Sequence, residues 1–248
     1  ARVSDSVGEL TYHAGVNHQA IPSRLLLFAT TSTAFNPSTR VDARTGRIQG
    51  NETTGGHEGG FKARFAPQRL DFTTSVFTFA NQDISRRNPL YGDPVQDANH
   101  TQPQLVAAGE ERYTGGKIEG SWRPWLPLTI WVRGTYVRGI TTASPDLPEE
   151  VGRQLTRFPA YNASVAGSYG FGKGTFQGLS LSASWVYVSD FVAYYEDRQR
   201  LRQDYPGYAV TTLSAGYSRR VGKFTHAYGL SVRNLFDTDL VQKLARLG

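Results

Sequence analysis

From Leu179 to Tyr187 the odd positions read Leu, Leu, Ala, Trp and Tyr, while the first three even positions are all serine. A period of two puts these sets on opposite faces of a β-strand. Tyr161–Tyr169 repeats the pattern: Tyr, Ala, Val, Gly and Tyr on one face, Asn, Ser, Ala and Ser on the other. From Phe224 to Val232 the even face is Phe, His, Tyr, Leu, Val, against Thr, Ala, Gly, Ser. Leu128–Tyr136 reads similarly, with Arg133 on the polar side. Arg24–Ala34 and Leu70–Ala80 are β-rich but carry apolar residues on both faces. Further strands are expected at Val7–His18, Gly55–Phe65 and Leu105–Trp122, and a helix-like piece at Asp239–Leu247. The total is about ten strands, in an all-β, antiparallel, up-and-down order.

The connections alternate in length. Short ones fall at Ile21–Ser23, Pro67–Gln68, Pro124–Pro127, Phe171–Gln177 and Gly222–Lys223. Long ones fall near Phe35–Thr54, Gln82–Gln104, Thr142–Thr156 and Phe191–Pro206. One end of the sheet is trimmed and the other elaborated, as in outer-membrane barrels with short periplasmic turns and long external loops. Aromatic residues gather at the ends of the apolar faces: Tyr161 and Tyr169, Trp185 and Tyr187, Phe224 and Tyr228. Interfacial girdles are built this way. A soluble β-sandwich also alternates, but its strands average about 5–6 residues. The runs here approach the length a tilted membrane strand needs. The reading therefore places Leu179, Leu181 and Trp185 toward lipid and the intervening serines toward a watery interior.

Composition supports a barrel over a disordered chain. Hydrophobic residues make up 39% and aromatics 12%, and disordered segments are aromatic-poor. The chain has no cysteine, so disulfides and thiolate metal sites are excluded. With no methionine either, the chain reads as one that has lost a leader or as a piece of a longer protein. No apolar run is long enough for a transmembrane helix, whereas barrel strands never build one. The net charge of +6 is scattered rather than gathered on one face, which argues against nucleic-acid binding.

Chemistry-bearing motifs are few. Gly170–Thr175 has the glycines of a phosphate loop, but Gly174 separates Lys173 from Thr175 and a strand follows. A glycine-rich hairpin turn accounts for it. His13 and His18, five apart, fall on opposite strand faces, and no metal site or resident cofactor is expected. Nothing sets two of Glu110, Glu111, Asp146, Glu149 and Glu150 across a substrate, and no Gly-x-Ser-x-Gly elbow occurs. The sequence gives no positive evidence for an enzyme. Arginines do concentrate in the long loops: Arg40, Arg44 and Arg47, then Arg86 and Arg87, then Arg198, Arg200 and Arg202. Guanidinium groups suit carboxylate and phosphate recognition. They would contact either an anionic ligand such as a ferric chelate, or solvent and outer-leaflet phosphates. Phe35, Tyr91, Tyr194, Tyr195 and Tyr205 lie in the same loops.

Leu230–Asp237 (LSVRNLFD) resembles the V-x-N-L-F-D segment near the C-terminus of TonB-dependent outer-membrane receptors, carried here by Asn234, Leu235, Phe236 and Asp237. Other pieces resemble the family in order. Thr33–Pro37 is similar to its S-x-S-F-x-P strand end, and His57–Lys62 to its Y-E-x-G-x-K. Gly115–Pro124 is similar to G-x-E-L-E-x-x-Y-x-P, with Lys117 replacing the acid. Phe158–Tyr161 and Pro206–Tyr208 resemble two strand starts.

The resemblance implies a transmembrane barrel of about 22 strands around an N-terminal plug, importing a scarce nutrient with energy from the TonB complex. Residues 1–248 would be the C-terminal part of that barrel, without the plug and the first half, reaching TonB only through the missing plug. The ligand implied is a ferric siderophore, with cobalamin or a glycan as alternatives. Lipid and lipopolysaccharide of the outer membrane would be the surroundings. The candidate ligand contacts are Phe35, Arg40, Arg44, Tyr91, Arg198 and Tyr205. A passive porin and a soluble β-sandwich binding module remain the competing readings.

Overall fold

The structure, a computed structural model, describes residues 8–67, 69–195 and 202–239. Among these residues ten strands form one antiparallel sheet. In sheet order they are β1 (His13–Ile21), β2 (Leu25–Asn36), β3 (Glu52–Phe65), β4 (Leu70–Arg87), β5 (Leu105–Trp122), β6 (Leu128–Ala143), β7 (Tyr161–Gly170), β8 (Leu179–Val188), β11 (Tyr208–Val221) and β12 (Phe224–Val232). Each strand pairs with the next in sequence, except that a separate hairpin of β9 (Phe191–Tyr195) and β10 (Arg202–Tyr205) comes between β8 and β11. The sheet is open among the described residues, with β1 and β12 at its edges.

The register sorts every strand into two faces. Tyr169 pairs with both Leu128 and Leu181, Leu181 with Ala215, and Ala215 with Leu230. Carried across the sheet, this face also holds Val165, Val132, Ile118, Val76, Ala29 and Val16. Several of these are open: Val16 64%, Val76 70%, Ile118 50%, Leu181 44%, Trp185 39% and Leu230 71% exposed. Among the described residues no second sheet covers them. Only Ala63, Val192 and Ala193 are buried hydrophobic residues among the described ones. A sandwich would press such a face into a core, so that alternative is excluded. An apolar face that is exposed along its full width is a lipid-facing surface. Tyr161 and Tyr169 bracket β7 on this face, about 26 Å apart along the strand at roughly 3.3 Å per residue. At a tilt of about 35–45° this length rises about 19–22 Å, most of the height of an apolar band about 25 Å tall.

The opposite face carries the polar and charged groups. Lys117 bonds Glu58 at 2.8 Å, Arg133 meets Glu119 at 3.1 Å and Arg64 meets Asp71 at 2.6 Å. Ser182 donates to Ser168 at 3.1 Å. This is the lumen wall, and it explains the apolar residues on both faces of β4. Leu70, Phe72 and Val76 share the lipid side with Trp122, Gly120 and Gly116, while Phe77 and Phe79 face inward beside Gly115 and Tyr113.

Three expectations need correction. The first strand starts at His13 and runs to Ile21, later than Val7–His18, because its pairing with β2 begins at His13↔Ser32; Val7 lies outside the described residues. β4 and β6 run well past Ala80 and Tyr136, to Arg87 and Ala143. Their upper parts leave the membrane and lose strict alternation at register shifts, such as that between Asn81 and Ile84. The connection at Phe191–Pro206 contains the β9–β10 hairpin, closed by stacking of Phe191 on Tyr205 at 5.7 Å. Most of the helix-like stretch Asp239–Leu247 lies outside the described residues.

Candidate functional site

The four long connections all emerge at one end of the sheet, so their residues meet above the lumen. Loop 1 (37–51) is a small hairpin clasped at Val41↔Ile48. Its turn is organised by Asp42, whose carboxylate accepts from the Thr45 amide at 2.7 Å, the Thr45 hydroxyl at 3.0 Å and the Arg44 amide at 3.1 Å. Gly46 follows with φ +66°, a conformation glycine adopts without strain. The other Asp42 oxygen accepts from the Gln104 amide at 2.6 Å, which ties loop 1 to loop 2 (88–104). The Thr45 amide is the largest influence on this carboxyl, and with the other donors it outweighs burial and holds the group below the usual carboxylate range.

Asp97 is the second hub. It is fully buried and accepts from the Gly92 amide at 2.8 Å, the Gln102 amide at 2.9 Å and the Arg44 guanidinium. Burial pushes its pKa up. The two amides and Arg44 more than offset this and hold it at about 2. The Arg44 guanidinium also lies 4.0 Å from the centre of the Tyr91 ring, within cation–π range. Two of the candidate contacts are therefore brought together, but turned toward each other and Asp97.

The collar continues around the rim. Ser85 at the top of β4 donates to Gln49 of loop 1 at 2.5 Å. Arg86 reaches Glu150 of loop 3 (144–160) at 3.4 Å and Glu111 of β5 at 4.0 Å. The Arg157 amide donates to Val192 O of the fourth connection at 2.6 Å, and the Tyr161 amide to Ser189 Oγ at 3.1 Å.

Beneath this collar, a row of aromatic side chains crosses the lumen wall. Phe77 and Phe79 stack at 6.0 Å, Phe79 and Tyr113 at 4.7 Å, and Tyr113 meets Phe158 edge-on at 5.6 Å. Glycines make room for them. A Cβ on Gly115 would stand 2.9 Å from the Phe77 ring and 2.2 Å from Tyr136 O, and one on Gly139 would stand 3.1 Å from the Tyr113 ring. Tyr113 also donates to Glu111 at 2.8 Å. The row presents flat apolar surface next to the carboxylates and guanidinium of Glu111, Glu150 and Arg86.

The other candidate contacts are placed as follows. Phe35 pairs with Thr53 on the face that carries Leu27 and Ala29, the lipid side. Arg40 is exposed in loop 1, where its amide donates to Ser38 Oγ at 3.3 Å. Tyr205 stacks on Phe191 within the hairpin. Arg198 lies outside the described residues. The hubs Asp42 and Asp97 and the aromatic row were missed in the sequence. Asp42–Gly46 (DARTG) has a turn signature that points to the first. The mixed pattern of Leu70–Ala80, with Phe77 and Phe79 on the otherwise polar face, points to the row.

The family motif proves to be a turn. Asn234 has φ +52° and Asp237 φ +51°. Asn234 Oδ1 accepts from the Thr238 amide at 2.9 Å while its Nδ2 donates to Thr238 O at 2.9 Å, and the Leu235 amide donates to Thr211 O at 3.0 Å. Asparagine tolerates the left-handed region better than most residues, and here its side chain closes the loop that ends β12.

An up-and-down sheet with a lipid-facing apolar side, a charged lumen side and long loops at one end is the wall of an outer-membrane β-barrel. The chain belongs to the TonB-dependent receptor-like β-barrel family, whose model matches residues 1–235. It is an outer-membrane protein of the Gram-negative type. Among solved structures, it resembles BauA, the ferric preacinetobactin receptor of Acinetobacter baumannii (TM-score 0.73, 19% identity, 92% of this chain and 32% of that one). It also resembles the ferric-catecholate import receptor Fiu of E. coli K12 (TM-score 0.69, 17% identity, 92% and 31%). The copper transporter OprC aligns with TM-score 0.62 at 16% identity over 90% of this chain and 33% of that one. The chain thus spans about a third of these proteins' length. No curated protein sequence matches it.

Proposed function

We propose that this chain is the C-terminal part of the barrel of a TonB-dependent receptor, and that the whole receptor imports a scarce nutrient, most readily a ferric siderophore. The observation that carries this reading is the lumen-facing row Phe77, Phe79, Tyr113 and Phe158 beneath a collar of cross-tied loops. Flat apolar rings with a few convergent polar groups are the make-up of a small-molecule site, and rigid loops lower the ordering cost of binding. Solved structures of the same fold include a ferric-catecholate import receptor and a ferric preacinetobactin receptor, which supports the ligand class.

In this reading Arg40, Arg198 and Tyr205 contact ligand, while Arg44 and Tyr91 position the loops that do so. Phe35, on the lipid side, contributes at the rim. Plug rearrangement driven by TonB completes transport. The test is uptake of a radiolabelled ferric siderophore by cells carrying the full-length receptor. Phe79→Ala with Tyr113→Ala is expected to weaken ligand binding by about five- to thirtyfold, at about 1–2 kcal/mol for the lost contacts. Uptake is expected to vanish in cells without functional TonB. Transport that persists there would support a passive pore instead.

A further inference from the structure

Two arginines stand on the lipid side of the wall where no ligand from the lumen reaches. The register pairs Arg138 with Thr114 and Arg112 with Ile140, so both belong to the face of Ile118, Val132 and Tyr136. They sit on adjacent strands as diagonal neighbours, about 7–8 Å apart at Cβ. Both are exposed, and neither makes an ion pair among the described residues. The nearby carboxylate Glu111 faces the lumen, bonded to Tyr113, and Glu110, on the other side of the register shift in β5, is paired with Ala143 and half-buried. On this face Arg112 is paired with Ala80 and Ile140, Arg138 is paired with Thr114, and Gln154 bridges Ile140; Thr114 and its partner Thr78, both exposed, bring hydroxyls to the level of Arg138.

Their height is marked independently. Tyr136 and Tyr161 pack ring to ring at 4.8 Å on the same face, and an aromatic pair at the end of an apolar stretch marks the headgroup level. Arg138 lies two residues beyond Tyr136, about 7 Å up the strand at roughly 3.3 Å per residue. Arg112 lies a further step outward. Below the pair the face is apolar; above it come the cations.

We propose that Arg112 and Arg138 form a docking site for the phosphates of an outer-leaflet lipid, the phosphorylated headgroup of lipopolysaccharide. Two guanidinium forks on diagonal positions of adjacent strands offer charge-assisted bonds to a phosphate. Thr114 and Thr78 supply hydroxyls beside them, and Tyr136 and Tyr161 line the boundary where the acyl chains begin. The site is independent of the lumen and of whatever the receptor imports.

The experiment uses the full-length receptor in nanodiscs containing either bisphosphorylated lipid A or its dephosphorylated form in a phosphatidylethanolamine background. Native mass spectrometry reads the lipid retained. The expected result is at least a fivefold preference for the phosphorylated lipid, lost in Arg112→Gln/Arg138→Gln and partly kept in the double lysine variant. Heat-modifiable gel mobility confirms that each variant is folded. If the double variant fails to fold, the comparison of the two lipids on the unaltered receptor decides alone. Equal retention of both lipids, or an unchanged preference in the folded double variant, overturns the proposal. So does full displacement by inorganic phosphate at lipid-equivalent concentration, which would make this a site for the free anion.

Discussion

Asp97 combines near-complete burial with a carboxylate that stays charged, and it does so through two amides and one guanidinium. Its pKa in the folded state, about 2, lies below the ordinary 3.8. A depressed carboxylate contributes stability in full above the ordinary value and loses it as pH falls through the folded one. The junction of loops 1 and 2 is therefore expected to hold from neutral pH to about 4 and to open toward about 2. Hydrogen exchange at the Gly92 and Gln102 amides checks this, with Asp97→Asn removing the acid transition. Asn234 makes the second prediction at this scale. Asn234→Ala removes both bonds to Thr238 and places a Cβ residue with poor tolerance at positive φ. The expected cost is about 1–2 kcal/mol, with Asn234→Gly recovering the backbone part. Equal stability of all three forms in urea titration would refute the role.

The strands are two-sided objects, and substitutions should reveal which side each residue occupies. Val165→Arg places a charge on the lipid face midway between Tyr161 and Tyr169 and is expected to cost about 2–4 kcal/mol. Ser164→Arg, one residue along and facing the lumen beside Arg133, is expected to cost far less. Folding titrations into lipid vesicles compare the two, and similar losses would mean that the faces are misassigned. Glycines in this wall are placed by their neighbours. Gly115→Val would force a Cβ to within 2.2 Å of Tyr136 O, so β5 and β6 would have to separate and the Phe77 ring would lose its seat. Loss of the stacked aromatic fluorescence signature together with lowered stability is the expected outcome.

At the scale of the whole molecule, β1 and β12 are exposed throughout and offer unpaired edges. Open edges template pairing with other strands. Residues 8–239 refolded in detergent without further strands are expected to associate; a monodisperse monomer in sedimentation would count against free edges. Strands β4, β5 and β6 run for 18, 18 and 16 residues, beyond the ~9–11 a membrane crossing needs. The excess builds the base of the collar, and that collar turns four separate loops into one cross-tied rim.

Period-two alternation, the spacing of turns and the aromatic ends of the apolar faces were enough to identify the strands and the membrane-facing side. These signals are local: neighbouring residues alternate because the backbone pleats, and Leu179–Tyr187 carries its own orientation. Leu105–Trp122 was legible to the residue, and the V-R-N-L-F-D segment pointed to the family. What the rim does with its charges was not legible. Arg44 and Asp97 lie 53 residues apart, and only the meeting of two loops shows that this arginine is held by a carboxylate and a tyrosine ring. The row of Phe79, Tyr113 and Phe158 likewise comes from three different segments. Single-strand periodicity decides which face a side chain takes, but strand register decides its neighbours, and register is set by long-range pairing that no local pattern contains.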